Sequence, residues 1–260
     1  MTRPRTWTYA PPGQPPLARL GDPTHPLRLE ALPTPVEIDL DRTALVMIDM
    51  QNDFCHPDGW LAGIGVDVSA PRTLFPAINA LTADLRAADV PVIWVNWGNR
   101  PDRANLPPNV LHVYDPDGRS GGIGAPGGPR GRSEAVLTQG SWGAAISAEL
   151  VVDPSDILVD KYRMSGFFDT PLDAILRRLD VTTLLFGGVN ADQCVLATLT
   201  DAACLGYDCL LVEDATATTS PDYCLQATLY NTRQCFGFTT TAGAVRTGLA
   251  GPASTPRTRH

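Results

Sequence analysis

LLFGGVNADQCV, residues 184–195, is typical of a buried strand that passes through a sharp turn into a helix. The thiol of Cys194 is then expected in the first turn of that helix. A helix N-terminus carries unpaired N–H groups and a partial positive charge, and both favour a thiolate over a thiol. Because the thiolate is the nucleophilic form of cysteine, Cys194 is the cysteine whose position predicts chemistry.

Strand-like and helix-like segments alternate through the rest of the chain, which predicts a parallel sheet covered by helices on both faces. The predicted strands cover residues 43–49, 91–97, 156–161, 182–188, 207–214 and 238–242. The predicted helices cover residues 71–89 and 171–179, and two more begin near residues 194 and 221. Asp49, Lys161 and the turn before Cys194 all follow predicted strands. Since clefts of such sheets lie at the carboxyl ends of the strands, these three side chains are expected to converge.

The overall composition indicates a single globular domain and excludes some partners. A net charge of −8 argues against nucleic-acid binding, which needs surfaces rich in Lys and Arg. No apolar run reaches the roughly 20 residues that span a bilayer, so we expect no membrane partner. The N-terminus has no secretory signal pattern. The six cysteines form no CxxC pair, and we expect a reducing, cytoplasmic setting.

Three segments stand apart from the alternating pattern. Residues 1–36 are rich in Pro and predict an extended arm, either loose or wrapped on the domain or on a partner subunit. Residues 37–249 form the predicted domain, and residues 250–260 a flexible tail. The segment 98–140 is rich in Gly, Pro and Arg and is long for a loop inside a domain. Such loops are usually functional, so it is expected to form a lid or a wall that specifies the substrate.

The three converging side chains suit acyl transfer through a thioester. A lysine beside a thiol lowers the pKa of the thiol by charge pairing, which is the role expected of Lys161. Asp49 would shuttle a proton between the thiol, the leaving group and water. The backbone N–H groups of Asn190 and Cys194 would form an oxyanion hole. The alternative at this point is an ordinary strand–helix turn whose cysteine packs inward.

Three motifs in order resemble the isochorismatase-like cysteine hydrolases. They are LVMIDMQNDF at 45–54, Asp160-Lys161, and GVNADQCV at 188–195. The resemblance covers residues 41–245 and implies a three-layer α/β/α fold around a mostly parallel six-stranded sheet. It also implies the triad Asp49, Lys161 and Cys194, a cis peptide before Asn190, and a homo-oligomer, either a dimer or a tetramer.

Within that family the sequence resembles several branches. GSW at 140–142 and YRMSGFFDTPLD at 162–173 resemble ureidoacrylate amidohydrolases, and RPD at 100–102 followed by Leu106-Pro107 resembles biuret hydrolases. Another relative, streptothricin hydrolase, opens a cyclic amide. The main hypothesis is a cysteine amidohydrolase that cleaves a C–N bond of a small amide or ureido compound. The alternatives are a lactam hydrolase that opens a ring and a noncatalytic binding protein on the same fold.

Metal binding is not expected. Nicotinamidase-like relatives hold a metal with an Asp-x-His pair after the second strand, where this chain has Asn96 and Trp97 with no histidine. We predict neither a metal nor another cofactor. Asn190 departs from the small residue that the family usually carries there, and its side chain is expected to add a polar contact or alter the pocket. The predicted substrate contacts are Asn96, Trp97, Trp142, Phe168 and Gln193.

Overall fold

The computed structural model describes residues 7–8, 17–19, 24–119, 121–126, 131 and 133–251. Within these ranges ten strands are formed. They are β1 (Trp7–Thr8), β2 (Leu17–Arg19), β3 (Pro26–Leu29), β4 (Val36–Asp39), β5 (Thr43–Ile48), β6 (Val92–Trp97), β7 (Ile157–Lys161), β8 (Thr183–Gly188), β9 (Asp208–Thr216) and β10 (Gly237–Thr240). The runs of apolar and β-branched residues that predicted the strands of the body correspond to β5 to β10.

The last six strands form one sheet in the order β10-β9-β8-β5-β6-β7, and each neighbouring pair is parallel. β5, β6 and β8 are buried along their whole length, as expected for strands covered on both faces. The predicted fold class, a six-stranded parallel sheet flanked by helices, is confirmed.

The strand order creates a switch point beside β5. From β5 the chain builds outward through β6 to β7, and then returns to place β8 on the other side of β5. In register, Ile48 at the end of β5 lies opposite both Val95 of β6 and Gly188 of β8. Open parallel sheets bind ligands in the crevice outside such a point. The loops that follow β5 and β8 therefore flank the expected position of a site.

Nine α-helices lie within the described ranges. They are α1 (Asn52–Cys55), α2 (Trp60–Gly63), α3 (Ser69–Thr73), α4 (Phe75–Ala87), α5 (Pro108–Leu111), α6 (Leu172–Arg178), α7 (Leu196–Cys204), α8 (Asp222–Asn231) and α9 (Ala242–Leu249). The helix predicted over 71–89 is interrupted before Phe75. Pro76 lies in the first turn of α4, where proline is tolerated because its missing N–H has no intrahelical partner. No helix in the described ranges is long and apolar enough to cross a bilayer.

The described part of the N-terminal arm packs against the domain. β3 and β4 pair in antiparallel fashion within a second, four-stranded sheet. Leu27 and Leu29 of β3 and Val36 and Ile38 of β4 are buried in the hydrophobic core. Leu32 exchanges two backbone hydrogen bonds with Thr239 of β10, at 2.8 and 3.0 Å. The predicted flexible tail begins at the last described residues, and residues 252–260 of it lie outside the described residues.

Candidate active site

Asp49, Lys161 and Cys194 meet at the carboxyl edge of the sheet. Nζ of Lys161 lies 2.9 Å from Oδ2 of Asp49, and both side chains are buried. The thiol of Cys194, itself 5% exposed, lies close enough to both for each to shift its pKa. A buried ion pair is stable only with close geometry and further hydrogen bonds, so this arrangement holds three polar groups against one another inside an apolar core.

Lys161 has two further neighbours that fix its position. Its ammonium group lies over the ring of Trp97, 4.1 Å from the ring centroid, and donates to the carbonyl of Arg163 at 3.2 Å. The sequence predicted Trp97 as a substrate contact. In the structure its ring is 1% exposed and its Nε1 donates to Oδ1 of Asn99 at 2.6 Å. The ring of Trp97 therefore supports the lysine at the end of β6, and its predicted contact with the substrate stays a prediction.

Gln51 joins the ends of two strands next to this ion pair, a role that the sequence did not predict. Its Oε1 accepts from the N–H of Trp97 at 2.7 Å. Its Nε2 donates to the carbonyls of Trp97 at 2.7 Å and Ala144 at 2.6 Å. These bonds extend the pairing of β5 and β6 beyond the strands. They hold the backbone on both sides of Asp49, which itself adopts a φ of 53°, an uncommon conformation for a residue other than glycine.

Burial dominates the ionisation of the three side chains. It raises the pKa of Asp49, with the charge of Lys161 opposing the rise. Burial lowers the pKa of Lys161, but the charges of Asp49 and Cys194 outweigh this and the pKa is raised overall. Burial also raises the pKa of the Cys194 thiol; the charge of Asp49 adds to this, and that of Lys161 opposes it. The sequence predicted that the helix N-terminus and Lys161 favour the thiolate, and desolvation and the charge of Asp49 act in the opposite direction.

The turn that carries Cys194 is tighter than a simple strand–helix junction. Gly188 has a φ of 111°, and the peptide bond between Val189 and Asn190 is cis. Residues 191–195 form one π-helical turn before α7 begins at Leu196, so Cys194 lies within this turn. The carbonyl of Asn190 accepts from the N–H groups of Gln193 at 3.0 Å and Val195 at 3.2 Å. Single π-helical turns occur frequently at functional sites.

The side chain of Asn190 connects three segments of the chain. Its Oδ1 accepts from the backbone N–H of Thr219 at 3.0 Å and from the Thr219 hydroxyl at 3.3 Å. Its Nδ2 donates to the hydroxyl of Tyr114 at 3.1 Å. Tyr114 belongs to the segment 98–140 that the sequence predicted as a lid or wall. No feature of the sequence pointed to Tyr114, apart from its being an aromatic residue in a loop rich in Gly and Pro.

A pocket of about 510 Å³ opens beside this turn. Its lining comprises Val113, Tyr114, Met164, Asp192, Gln193 and Ala197. Sδ of Met164 lies 3.7 Å from Sγ of Cys194, so the pocket wall is in contact with the thiol. Gln193, a predicted substrate contact, lies in this lining.

The remaining predicted contacts lie outside that lining. Asn96 is 7% exposed, and its Oδ1 has no hydrogen-bond partner among the described residues. The ring of Trp142 packs edge-on against His56 at 5.0 Å. Phe168 is 58% exposed. A substrate role for these three side chains stays a prediction. Within the described ranges, no three His, Cys, Asp or Glu side chains are grouped as a metal site requires.

The sheet order and the buried Asp, Lys and Cys at its switch point define an α/β hydrolase with a candidate cysteine nucleophile. Comparison with protein families gives the same answer in more detail. The isochorismatase domain model matches residues 43–244, which is most of the chain. The protein therefore belongs to the isochorismatase family of hydrolases, as the sequence motifs predicted.

Individual relatives include amidohydrolases. Ureidoacrylate amidohydrolase RutB of Azorhizobium caulinodans is 32% identical over 233 residues, covering 85% of this chain and 96% of the relative. A cysteine hydrolase from Pseudomonas syringae pv. phaseolicola superimposes with a TM-score of 0.68 at 26% identity, covering 82% and 94%. N-carbamoylsarcosine amidase from Thermoplasma acidophilum superimposes with a TM-score of 0.58 at 25% identity, covering 77% and 96%.

Proposed function

We propose that this protein is a cysteine amidohydrolase that cleaves a C–N bond, other than a peptide bond, in a small amide or ureido compound. The observation that carries the proposal is the buried 2.9 Å ion pair of Lys161 and Asp49, with the Cys194 thiol close enough to both for their charges to shift its pKa. A nucleophile beside a proton acceptor and a fixed cation is the set that acyl transfer requires.

The first half of the reaction makes a thioester. Sγ of Cys194 attacks the carbonyl carbon of the substrate while its proton passes to the carboxylate of Asp49. Because burial raises the pKa of Asp49, the carboxyl group is a good acceptor for this proton. The negative charge moves to the carbonyl oxygen, where the backbone N–H groups of Asn190 and Cys194 stabilise it. The C–N bond then breaks, and Asp49 gives its proton to the departing nitrogen.

The second half returns the enzyme to its starting state. Water attacks the thioester carbon and gives a proton to Asp49. The C–S bond breaks, and the proton returns from Asp49 to Sγ. Lys161 stays protonated throughout, since the charges beside it raise its pKa. Its charge offsets the negative charge that is carried in turn by Asp49 and Sγ, and this is how it stabilises the thiolate as it forms.

The relatives support a ureido or amide substrate. One is named for ureidoacrylate and another for N-carbamoylsarcosine. Both names describe a carbonyl flanked by nitrogen, which is the bond type that the proposed thiol attack would cleave.

A substrate panel tests the proposal. Purified protein is incubated with ureidoacrylate, biuret, simple amides and cyclic amides, and both ammonia and product mass are measured. We expect turnover of at least one linear compound, with release of ammonia. A mass gain of one water without fragmentation would point to ring opening instead. Cys194→Ala should reduce kcat by at least about a thousandfold, and full turnover by that variant would falsify the mechanism.

We also propose that the protein is a cytoplasmic homo-oligomer, a dimer or a tetramer, that uses no metal or other cofactor. All six cysteines are free, which suits a reducing compartment. Light scattering on the purified protein measures the oligomeric state, and a monomer at micromolar concentration would contradict the expectation. Activity that survives treatment with EDTA would support catalysis without a metal.

A further inference from the structure

Two sets of contacts hold Tyr114 beside the turn that carries Cys194, one to its ring and one to its hydroxyl. Its ring packs edge-on against Trp60, with centroids 5.5 Å apart and planes at 88°. Trp60 is 1% exposed and its Nε1 donates to the carbonyl of Gly121 at 2.6 Å. The backbone of Tyr114 has a φ of 59°. Strained backbone of this kind persists only where surrounding contacts enforce it, and it clusters at ligand sites.

The hydroxyl of Tyr114 accepts hydrogen bonds from two amide groups. Nδ2 of Asn190 donates to it at 3.1 Å, and Nε2 of Gln193 donates at 2.8 Å. A phenolic oxygen has one proton and can accept from such donors while that proton points elsewhere. Within the protein, the hydroxyl also interacts with the side chain of Thr219, and its proton has a longer contact with Oε1 of Gln193, at 3.1 Å. The same Gln193 side chain makes both contacts, since its Oε1 accepts at 3.1 Å and its Nε2 donates at 2.8 Å.

The direction of the Asn190 amide is fixed by its other end. The backbone N–H of Thr219 can only donate, and it donates to Oδ1 of Asn190 at 3.0 Å. The NH₂ group of Asn190 must therefore face Tyr114. Burial raises the pKa of Tyr114, so its hydroxyl keeps its proton. Hydrogen bonds accepted by a hydroxyl strengthen it as a donor.

The hydroxyl is placed to meet a substrate. Tyr114 lines the pocket of about 510 Å³ together with Met164, which contacts Sγ of Cys194. A compound whose scissile carbonyl is at the thiol would extend along this wall past Tyr114. A substrate oxygen in the pocket can replace Oε1 of Gln193, at 3.1 Å, as the acceptor of this proton.

We propose that the hydroxyl of Tyr114, oriented by Asn190 and Gln193, donates a hydrogen bond to the substrate. The acceptor is an oxygen other than that of the scissile carbonyl. This inference rests on the proposed function and narrows its substrate class. The preferred compounds are amides or ureas that carry a further carbonyl or carboxylate oxygen, rather than simple alkyl amides and ureas.

A pair of neutral ureas of matched shape tests the inference. β-Ureidopropionamide carries the second carbonyl, and isopentylurea replaces it with methyl groups. Binding is measured by calorimetry in a Cys194→Ser background, so that turnover does not interfere. Tyr114→Phe keeps the ring on Trp60 and removes only the hydroxyl. It should weaken binding of β-ureidopropionamide about tenfold and leave isopentylurea within about twofold.

Tyr207→Phe is the matched control. Tyr207 is 8% exposed and its hydroxyl donates to Asp173 at 2.8 Å. It precedes β9 and so lies at the opposite edge of the sheet. This variant should bind both ureas as the parent does.

Three results would overturn the inference. They are equal weakening of both ureas by Tyr114→Phe, no weakening of either, and a parent protein that does not prefer β-ureidopropionamide. Because the comparison measures binding, it decides the role of Tyr114 separately from the hydrolysis. If the enzyme with Cys194 intact hydrolyses no member of the substrate panel, the proposed function fails while the binding comparison still stands.

Discussion

Replacing Lys161 by Met removes one partner of the buried ion pair and leaves the other in place. Nζ of Lys161 is 2.9 Å from Oδ2 of Asp49, with side chains 0% and 1% exposed. Breaking a buried pair on one side destabilises a protein by about 3–5 kcal/mol, because the remaining charge is uncompensated. We expect a loss of this size in the free energy of unfolding of Lys161→Met at pH 8, measured by urea denaturation.

The loss should shrink as the pH falls. Lys161 lowers the pKa of Asp49 by its charge and by a hydrogen bond, so the variant raises that pKa further above the ordinary value of 3.8. An acid with a raised folded-state pKa binds more protons when folded, and the stability it contributes is lost as pH rises through that pKa. Because this raised pKa makes Asp49 in the variant take up a proton more readily as the pH falls, the destabilisation relative to the parent should be smaller at pH 5 than at pH 8.

Two further variants make this comparison specific. Asp49→Asn combined with Lys161→Met removes both charges and should recover much of the stability, since the cost comes from the unpaired charge. Arg246→Met breaks the pair with Asp84, whose side chains are 59% and 34% exposed, and should change the stability by less than about 1 kcal/mol. The reasoning is refuted if Lys161→Met loses less than about 1 kcal/mol at pH 8, or loses the same amount at both pH values.

Three other perturbations follow from the geometry. Gly188→Ala would place a Cβ 2.1 Å from the carbonyl oxygen of Ile48 and should abolish folding or activity. Gly206 also has a positive φ, but a Cβ there would meet no atom within 4 Å. Gly206→Ala should therefore cost only about 1–3 kcal/mol of stability, measured by thermal melting. Cys194 should react with iodoacetamide more slowly than exposed Cys204 and Cys235, and peptide mapping that found Cys194 labelled first would contradict the raised pKa. Asp53→Ala removes an acceptor for the N–H groups of Trp60 and Leu137, at 3.1 and 2.9 Å. It should cost about 1–3 kcal/mol of stability and speed proteolysis of the 98–140 segment, which contains Leu137. An unchanged rate of cleavage would count against the idea that Asp53 anchors this segment.

The strands and their reactive ends were predictable because both depend on local pattern. A continuous apolar run such as residues 43–48 is buried only in a sheet covered on both faces, and parallel strands bring their carboxyl ends to one edge. The convergence of Asp49 and Lys161 at that edge follows directly from these two rules. The direction in which a side chain at a strand end points does not follow from these rules. Trp97 was predicted as a substrate contact, and the local pattern did not show that its ring lies 4.1 Å from Nζ of Lys161.

The role of Tyr114 was not predictable, because it depends on contacts far apart in the chain. Its hydroxyl meets Asn190 and Gln193, residues 76 and 79 positions away. No periodicity within a loop rich in Gly and Pro encodes such partners. The sequence did mark Asn190 as a departure from its relatives. The contact with Tyr114 gives that departure a physical meaning, since a small residue could not reach across to the loop.

A raised thiol pKa is compatible with a nucleophilic Cys194 once the proton acceptor is considered. What matters for attack is the difference between the pKa values of donor and acceptor, and burial raises that of Asp49 as well as that of Cys194. Transfer of the proton from Sγ to Asp49 moves the negative charge from one atom beside Lys161 to another, so the ion pair is never left uncompensated. In the proposed reaction, the thiol loses its proton to Asp49 as Sγ attacks the substrate carbonyl. Because burial raises the pKa of both groups, it opposes the charged form of the donor and favours proton uptake by the acceptor.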